Sequence, residues 1–164
     1  MTNPYPYNDL REWLARAEEI GELKQVRGAP LDPDAGQIAE MLHHTDEAPA
    51  VLMDEFAGFP KGYRILLNAN GARRRLALTL GLPVDISGPD LMERFQDMVD
   101  AVKPLPVKYV EMGPILENVQ EDDAVDVFKF PTPKWHDIDG GRYIGTGCSD
   151  ITRDPEEGWV NLGT

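Results

Sequence analysis

The fold is decided by residues 51–80, whose sequence is VLMDEFAGFPKGYRILLNANGARRRLALTL. Two apolar runs of strand length, residues 51–53 and 64–67, lie on either side of a turn-rich stretch that contains Gly and Pro. Apolar runs separated in this way predict a pair of strands. Residues 72–80 then have helical periodicity, and Gly81 is a typical helix-terminating residue. The stretch therefore predicts two paired strands followed by a helix.

Two helices and a short strand are predicted on the N-terminal side of this stretch. Asp9 is a candidate N-cap with Glu12 as its capping-box partner. The apolar residues that follow have helical spacing: Leu10, Trp13, Leu14, Ala17 and Ile20. Residues 23–26 form a strand-length run, and residues 34–43 predict a second helix. The inner face of that second helix is predicted to comprise Ile38, Met41 and Leu42.

A further helix is predicted to open at Ser87-Gly88-Pro89 and to end at Pro104 and Pro106. Its apolar residues share one face: Leu91, Phe95, Met98 and Val102. The first 106 residues thus alternate helices with short strands. They predict an α/β or α+β unit.

The sequence after Pro106 is richer in strand-length apolar runs. Strands are predicted at residues 107–112, 115–119, 125–130, 142–152 and 159–163. The acidic turn at residues 154–158 would connect the last two as a hairpin. Since the last strand stops without a turn or cap, we expect the 164 residues to be a fragment of a longer protein or the product of a truncated reading frame.

Composition narrows the classes of function. The chain carries 16 Lys and Arg against 29 Asp and Glu, a net charge of −13. This charge and the short cationic run at residues 73–75 argue against nucleic acid as a partner. No apolar run approaches the roughly 18 residues of a membrane span, and the N-terminus lacks signal-peptide features. A single cysteine suits a reducing compartment, so a cytoplasmic globular protein is expected.

Few residues form a chemical signature by themselves. Gly145-Thr146-Gly147 lacks the third glycine of a dinucleotide fingerprint. His43 and His44 are adjacent, which favours a solvated helix end over a metal site. Cys148 is predicted to be a small core residue within a strand. His136, with Asp137 and Asp139, could form an acid–base or metal cluster, although loops of this composition are usually turns.

Several blocks of the sequence resemble the UbiD family of decarboxylases, which use prenylated FMN. The first blocks are Asp9-Leu10-Arg11-Glu12-Trp13-Leu14 with Gly21-Glu22-Leu23-Lys24, and residues 68–81. The strongest match is Phe130-Pro131-Thr132-Pro133-Lys134-Trp135-His136, continuing through residues 139–147 and 152–158. Asn161-Leu162-Gly163-Thr164 is similar to the start of the family's Asn-x-Gly-x-Tyr-Arg segment. The blocks occur in family order and cover nearly the whole chain.

The resemblance implies an α+β fold of two parts. A mixed α/β N-terminal domain (residues 1–106) would be followed by the beginning of a split β-barrel flavin-binding domain (residues 107–164). In the family a divalent metal, typically Mn2+, bridges the cofactor phosphate to Asn, His and Glu ligands, with K+ nearby. Asn161 matches the Asn ligand, and its amide oxygen is a hard donor. The alternative is a strand-end Asn bonded to its own backbone.

The resemblance also implies cofactor contacts. Thr146 matches a residue that lines the flavin and substrate cleft, although Thr in a strand is common. Leu162, Gly163 and Thr164 would pass the cofactor, and Gly163 would allow close backbone approach. His136 and Asp139 would shape the approach to the cleft.

The implied activity is reversible, non-oxidative decarboxylation of an aromatic, heteroaromatic or α,β-unsaturated carboxylic acid. A flavin prenyltransferase would supply the prenylated FMN, and the whole protein would be a homo-oligomer. The remaining metal ligands and the catalytic Glu-Arg-Glu set would lie beyond Thr164, so no catalytic residue is predicted in this chain. The chain alone is expected to be inactive. The alternative is a non-catalytic binding or assembly module that pairs with another chain.

Overall fold

The computed structural model describes residues 5–145 and 148–163. Its N-terminal part contains four helices and three strands, and its C-terminal part contains 310 turns and one hairpin. In chain order these are α1 (Leu10–Glu19), β1 (Leu23–Arg27), α2 (Asp34–His43), β2 (Ala50–Asp54), β3 (Ile65–Leu67), α3 (Arg73–Thr79), α4 (Gly88–Ala101), the 310 turns Pro114–Leu116, Asp122–Ala124 and Val127–Lys129, β4 (Asp150–Arg153) and β5 (Val160–Gly163). The prediction of a mixed α+β N-terminal unit is confirmed.

The three N-terminal strands form one sheet in the order β1-β2-β3. β1 runs parallel to β2, with Leu23 opposite Ala50, and α2 makes the crossover that a parallel pair requires. β3 is antiparallel to β2, with Leu66 opposite Leu52. The predicted pairing of the two apolar runs is confirmed, and β3 forms one edge of the sheet.

The alternation of side chains along β2 divides the core into two layers. Ala50 and Leu52 pack on one face with α1 and α3, whereas Val51 and Met53 pack on the other with α2. Of the predicted inner face of α2, Ile38 and Leu42 pack against the second layer, but Met41 is 69% exposed. Met41 lies one helical step, about 100°, from Leu42, which rotates it away from the sheet.

The predicted caps determine where two of the helices begin. Asp9 accepts hydrogen bonds from the backbone N–H groups of Arg11 and Glu12, at 2.8 and 3.0 Å. The Glu12 carboxylate accepts from the N–H of Asn8 rather than from that of Asp9. Ser87 accepts from the N–H of Asp90 at the start of α4. The α4 face that was predicted to be shared is not buried, because only Leu91 is fully covered and Phe95 and Val102 are 43% and 69% exposed.

The strands predicted at residues 107–112, 115–119 and 125–130 are wrong. Residues 107–112 have no regular secondary structure, and the other two stretches contain short 310 turns. Their apolar side chains are mostly exposed; Tyr109 is 92% and Ile115 87% exposed. β-Propensity expresses packing against neighbouring strands, and no described strand lies beside these residues. The split barrel therefore remains a prediction.

The predicted C-terminal hairpin is confirmed, with a shorter first strand. β4 begins at Asp150, so the described residues between 142 and 149 are not in a strand. Cys148 is thus not a strand core residue; it is partly exposed, and its thiol donates to the Asp150 carboxylate at 3.5 Å. The turn closes through the Asp154 N–H, which donates to the Trp159 carbonyl at 2.9 Å. In the described parts of the chain, no helix has the length and apolarity needed to cross a membrane.

Candidate functional site

The docking segment, residues 131–142, belongs to the C-terminal part of the chain and packs against the N-terminal part. Its Lys134 N–H donates to Oδ1 of Asp32 at 3.0 Å, and Nη2 of Arg142 lies 3.2 Å from Oδ2 of the same carboxylate. The Asp32 side chain, two residues before α2, thus binds the docking segment at two points, Lys134 and Arg142. No local sequence pattern singles out Asp32, because its partners are about a hundred residues away.

Gly36 allows the docking segment to approach α2 closely. A Cβ atom at Gly36 would overlap the backbone carbonyl of Trp135. The Trp135 side chain packs against the second core layer, and its buried indole N–H has no hydrogen-bond partner among the described residues. A glycine inside a helix is unfavourable by about 1 kcal/mol relative to Ala, which is a sequence signal that such a position serves packing.

A groove of about 520 Å3 lies between the open edge of β3 and the docking segment. Its aromatic lining is Tyr63, Phe130, Trp135 and Tyr143. The Tyr63 and Phe130 rings meet edge to face, with centroids 5.5 Å apart. Asn68 lines the groove and also a neighbouring cavity of about 360 Å3 beside α2. None of residues 161–163, the described part of the predicted cofactor segment, lines this groove.

The predicted site residues of the C-terminal segment lie on β5. Asn161 is exposed and pairs with Thr152, and Leu162 is 68% exposed opposite Ile151. Gly163 is half-buried, and a Cβ there would lie 3.6 Å from Nδ2 of Asn161. The amide and the glycine therefore share one face of the strand, where the glycine leaves room beside the amide. Thr146 and Thr164, the other predicted cofactor residues, lie outside the described residues.

The acidic cluster around His136 links α2 to the docking segment. Nε2 of His136 lies 2.8 Å from Oε1 of Glu40, and its backbone N–H donates to Oδ2 of Asp139 at 2.9 Å. Hydrogen bonding to Glu40 raises the pKa of His136, and the same contact lowers the pKa of Glu40. Over residues 5–145 and 148–163, no three His, Cys, Asp or Glu side chains converge to hold a metal ion. The metal-cluster interpretation of His136 is therefore not supported, whereas its pairing with Glu40 was not predicted.

Two family descriptions match the chain. Residues 14–95 match the UbiD 3-octaprenyl-4-hydroxybenzoate carboxy-lyase N-terminal domain, and residues 108–164 match the Rift-related domain of the same enzyme. The sequence is 34% identical over 165 residues to a phenolic acid decarboxylase from Streptomyces sp. (strain D7), covering 96% of this chain and 34% of that protein. It is 32% identical over 160 residues to the pyrrole-2-carboxylic acid decarboxylase of Pseudomonas aeruginosa, covering 92% of this chain and 32% of that protein.

A solved structure has the same fold. The open form of the vanillic acid decarboxylase ShVdcCD from Sedimentibacter hydroxybenzoicus, with truncated ShVdcD, matches with a TM-score of 0.78 and 30% identity. The match covers 96% of this chain and 33% of that chain. The chain thus spans about a third of the length of the relatives that it matches.

Proposed function

Because the chain belongs to the UbiD carboxy-lyase family, we propose that the whole protein is a reversible, non-oxidative decarboxylase. Its substrate would be an aromatic, heteroaromatic or α,β-unsaturated carboxylic acid. The observation that carries this proposal is the similarity to a phenolic acid decarboxylase and a pyrrole-2-carboxylic acid decarboxylase over 92–96% of the chain. Both are carboxy-lyases of planar, unsaturated acids.

The whole protein would also bind prenylated FMN, a divalent metal such as Mn2+, and K+. The donor atoms on β5 show whether this chain can hold the metal. The exposed amide of Asn161 offers a hard oxygen ligand, and Gly163 leaves open space beside it on the same face. The Asp150 carboxylate belongs to the residue paired with Gly163, so the local charge favours a cation over a bare anion. These residues fit one ligand position of the metal.

The chain's own residues would bind and orient the bound groups. Asn161 would hold the metal through its amide oxygen, and the Gly163 backbone would allow close approach of the cofactor phosphate. Thr146 would donate a hydroxyl hydrogen bond into the cleft, and Leu162 and Thr164 would complete the cofactor contacts. The prenylated FMN, when bound, would supply the electron sink for loss of CO2. The docking segment would hold the N-terminal part, residues 1–106, against the cofactor-binding part, residues 107–164.

We further propose that the whole protein is a cytoplasmic homo-oligomer that obtains its cofactor from a flavin prenyltransferase.

A second candidate function, an assembly module without catalysis, is favoured by one observation. The side chains of Leu105, Val107, Tyr109 and Ile115 are 79–92% exposed. Apolar side chains exposed in series are typical of surfaces that another chain covers. The two candidates differ in whether the whole protein turns over a carboxylic acid.

The test uses the whole protein, produced with and without a co-expressed flavin prenyltransferase. Native mass spectrometry is expected to show prenylated FMN and one divalent metal on each subunit, only in the co-expressed sample. Released CO2 is then measured with phenolic acids and with pyrrole-2-carboxylic acid. Turnover that depends on the prenyltransferase supports the decarboxylase. A protein that binds neither group and releases no CO2 would leave the assembly module as the better description.

A further inference from the structure

The contact between His136 and Glu40 joins two segments that are 96 residues apart. Both side chains are about half exposed, so both can exchange protons with solvent. Three neighbouring contacts hold the docking segment without a histidine. They are the Lys134 N–H bond to Asp32, the Arg142 ion pair with Asp32, and the packing of Gly36 on Trp135.

The charged groups that face the His136 ring come from two elements in the described part of the chain. α2 contributes Glu40 at 2.8 Å, and the second oxygen of Glu40 lies 3.3 Å from Nε2 of His44. The docking segment contributes Asp139, 3.7 Å from Nδ1 of His136. The nearby Lys134 ammonium donates instead to the Asp137 carbonyl at 2.6 Å. A carboxylate therefore lies beside each nitrogen of the His136 ring, which favours the protonated form of the ring.

We propose that His136 and Glu40 form a pH-dependent clamp that fastens the docking segment to α2. Protonated imidazole and ionised carboxylate attract each other, whereas neutral imidazole retains only a hydrogen bond. The clamp is consequently strongest at mildly acidic pH and loosens as pH rises through the raised pKa of His136. The docking segment forms one wall of the groove. Loosening of its contact with α2 therefore changes the width of the groove.

The sign of the effect follows from the two pKa directions. The pKa of His136 is raised by its hydrogen bond to Glu40, so the charged pair is complete below about pH 6.5, the ordinary pKa of His. It is lost as pH rises through the raised pKa. The pKa of Glu40 is lowered by its hydrogen bond to His136, so acid weakens the pair only below the ordinary range of Glu. The window of greatest strength lies between these limits.

The first test is NMR titration of the three histidine rings, each assigned with its His→Gln variant. We expect the pKa of His136 to lie above 6.5 and to fall toward that value in Glu40→Gln, which keeps the side-chain shape but removes the charge. Glu93→Gln on the exposed side of α4 is the matched control, and should leave the His136 pKa unchanged. A His136 pKa that Glu40→Gln does not alter would overturn the clamp.

The second test is amide hydrogen exchange of the same chain at pH 6.0 and 8.5, expressed as protection factors. The Lys134 amide is the reporter, because it donates across the contact to Asp32. Its protection should fall by about two- to fivefold at the higher pH, the range of exposed ion pairs. The fall should disappear in His136→Gln and persist in His44→Gln. Equal protection at both pH values in the unchanged chain would refute the proposal.

Discussion

The completely buried guanidinium of Arg75 lies 2.7 Å from the carboxylate of Glu22, measured from Nη1 to Oε2. Its Nη2 donates to the Ala48 carbonyl at 2.7 Å, and its Nε donates to the carbonyls of Asn68 and Ala69 at 3.2 Å. One side chain of α3 therefore fixes the ends of β1, β2 and β3 together. Asn68 also lines the groove, so Arg75 holds the backbone of one groove residue in place.

Arg75→Ala should destabilise the chain by about 1–3 kcal/mol, because it removes one of the two guanidinium partners of the nearly buried Glu22 carboxylate and the Nε donor of the Ala69 carbonyl. Arg74, 3.0 Å from the other oxygen of Glu22, remains as a partner. Urea denaturation followed by circular dichroism measures the change. Arg94→Ala, which removes a 67% exposed side chain from α4, is the matched control and should change stability by less than about 0.5 kcal/mol. Similar losses in the two variants would show that the buried pair contributes little.

Gly36→Ala should destabilise the protein, although Ala is normally the better helix former. The added Cβ overlaps the Trp135 carbonyl, and relieving that overlap requires the docking segment to move, at a net cost of about 1–3 kcal/mol. Gly88→Ala is the control, since a Cβ at the first residue of α4 meets nothing within 4 Å. Denaturant titration should show that the free energy of unfolding of Gly88→Ala is unchanged or slightly higher. A stabilised Gly36→Ala variant would mean that the segment is not docked as described.

The N-terminal unit could be predicted well because its signals are local. The cap at Asp9 and the apolar spacing of residues 34–43 define helices without knowledge of distant partners, and these helices are observed. The prediction of strands within residues 107–130 was wrong for the opposite reason. An apolar run forms a strand only where another strand pairs with it. Sequence periodicity places Arg75 three residues before the buried Leu78, yet the run Arg73-Arg74-Arg75 was considered only as a cationic run too short to bind nucleic acid.

The candidate site was predicted in part. The hairpin that carries Asn161 follows from the turn residues at 154–158, which are local signals. The contacts of Asp32, Gly36 and Glu40 with the docking segment join residues about a hundred positions apart, and no local pattern encodes such pairings. Asn161 and its neighbours remain predicted cofactor ligands, since their assignment came from the resemblance.

The C-terminal hairpin should weaken in acid through Asp154. Its carboxylate accepts the backbone N–H groups of Glu157 and Glu156 at 2.6 and 2.9 Å, and these bonds lower the pKa of Asp154. A carboxylate with a lowered pKa stabilises the hairpin above its ordinary pKa, near pH 3.9, and that contribution is lost as pH falls through the lowered value. Cross-strand NOEs between Thr152 and Asn161 should therefore weaken between pH 5.5 and pH 2.5.

Asp154→Asn separates this effect from general acid unfolding. The amide keeps an acceptor oxygen but has no charge to lose, so its NOEs should be weaker at pH 5.5 and should change less with acid. Asp123→Asn, in the turn Asp122–Ala124, is the matched control and should retain the acid dependence of the unchanged chain. An Asp154→Asn hairpin with an unaltered pH response would assign the acid sensitivity to another group.

Asn161→Ala in the whole protein should lower metal affinity by at least about 10- to 100-fold, the range for losing a residue that only supports a metal ligand, because Asn161 is proposed as a ligand itself. The exposed amide on β5 is the only group in the described part of the chain for which we propose a metal-ligand role, and Ala removes its oxygen while keeping a strand-compatible backbone. Metal content after dialysis, measured by mass spectrometry, and Mn2+ binding, measured by electron paramagnetic resonance, report the loss without relying on activity. Asn118→Ala is the matched control, because it removes an exposed amide far along the chain from β5. If Asn161→Ala bound Mn2+ as tightly as the Asn118→Ala control, the Asn161 side chain would be an ordinary strand residue and the metal would have to be held by other parts of the protein.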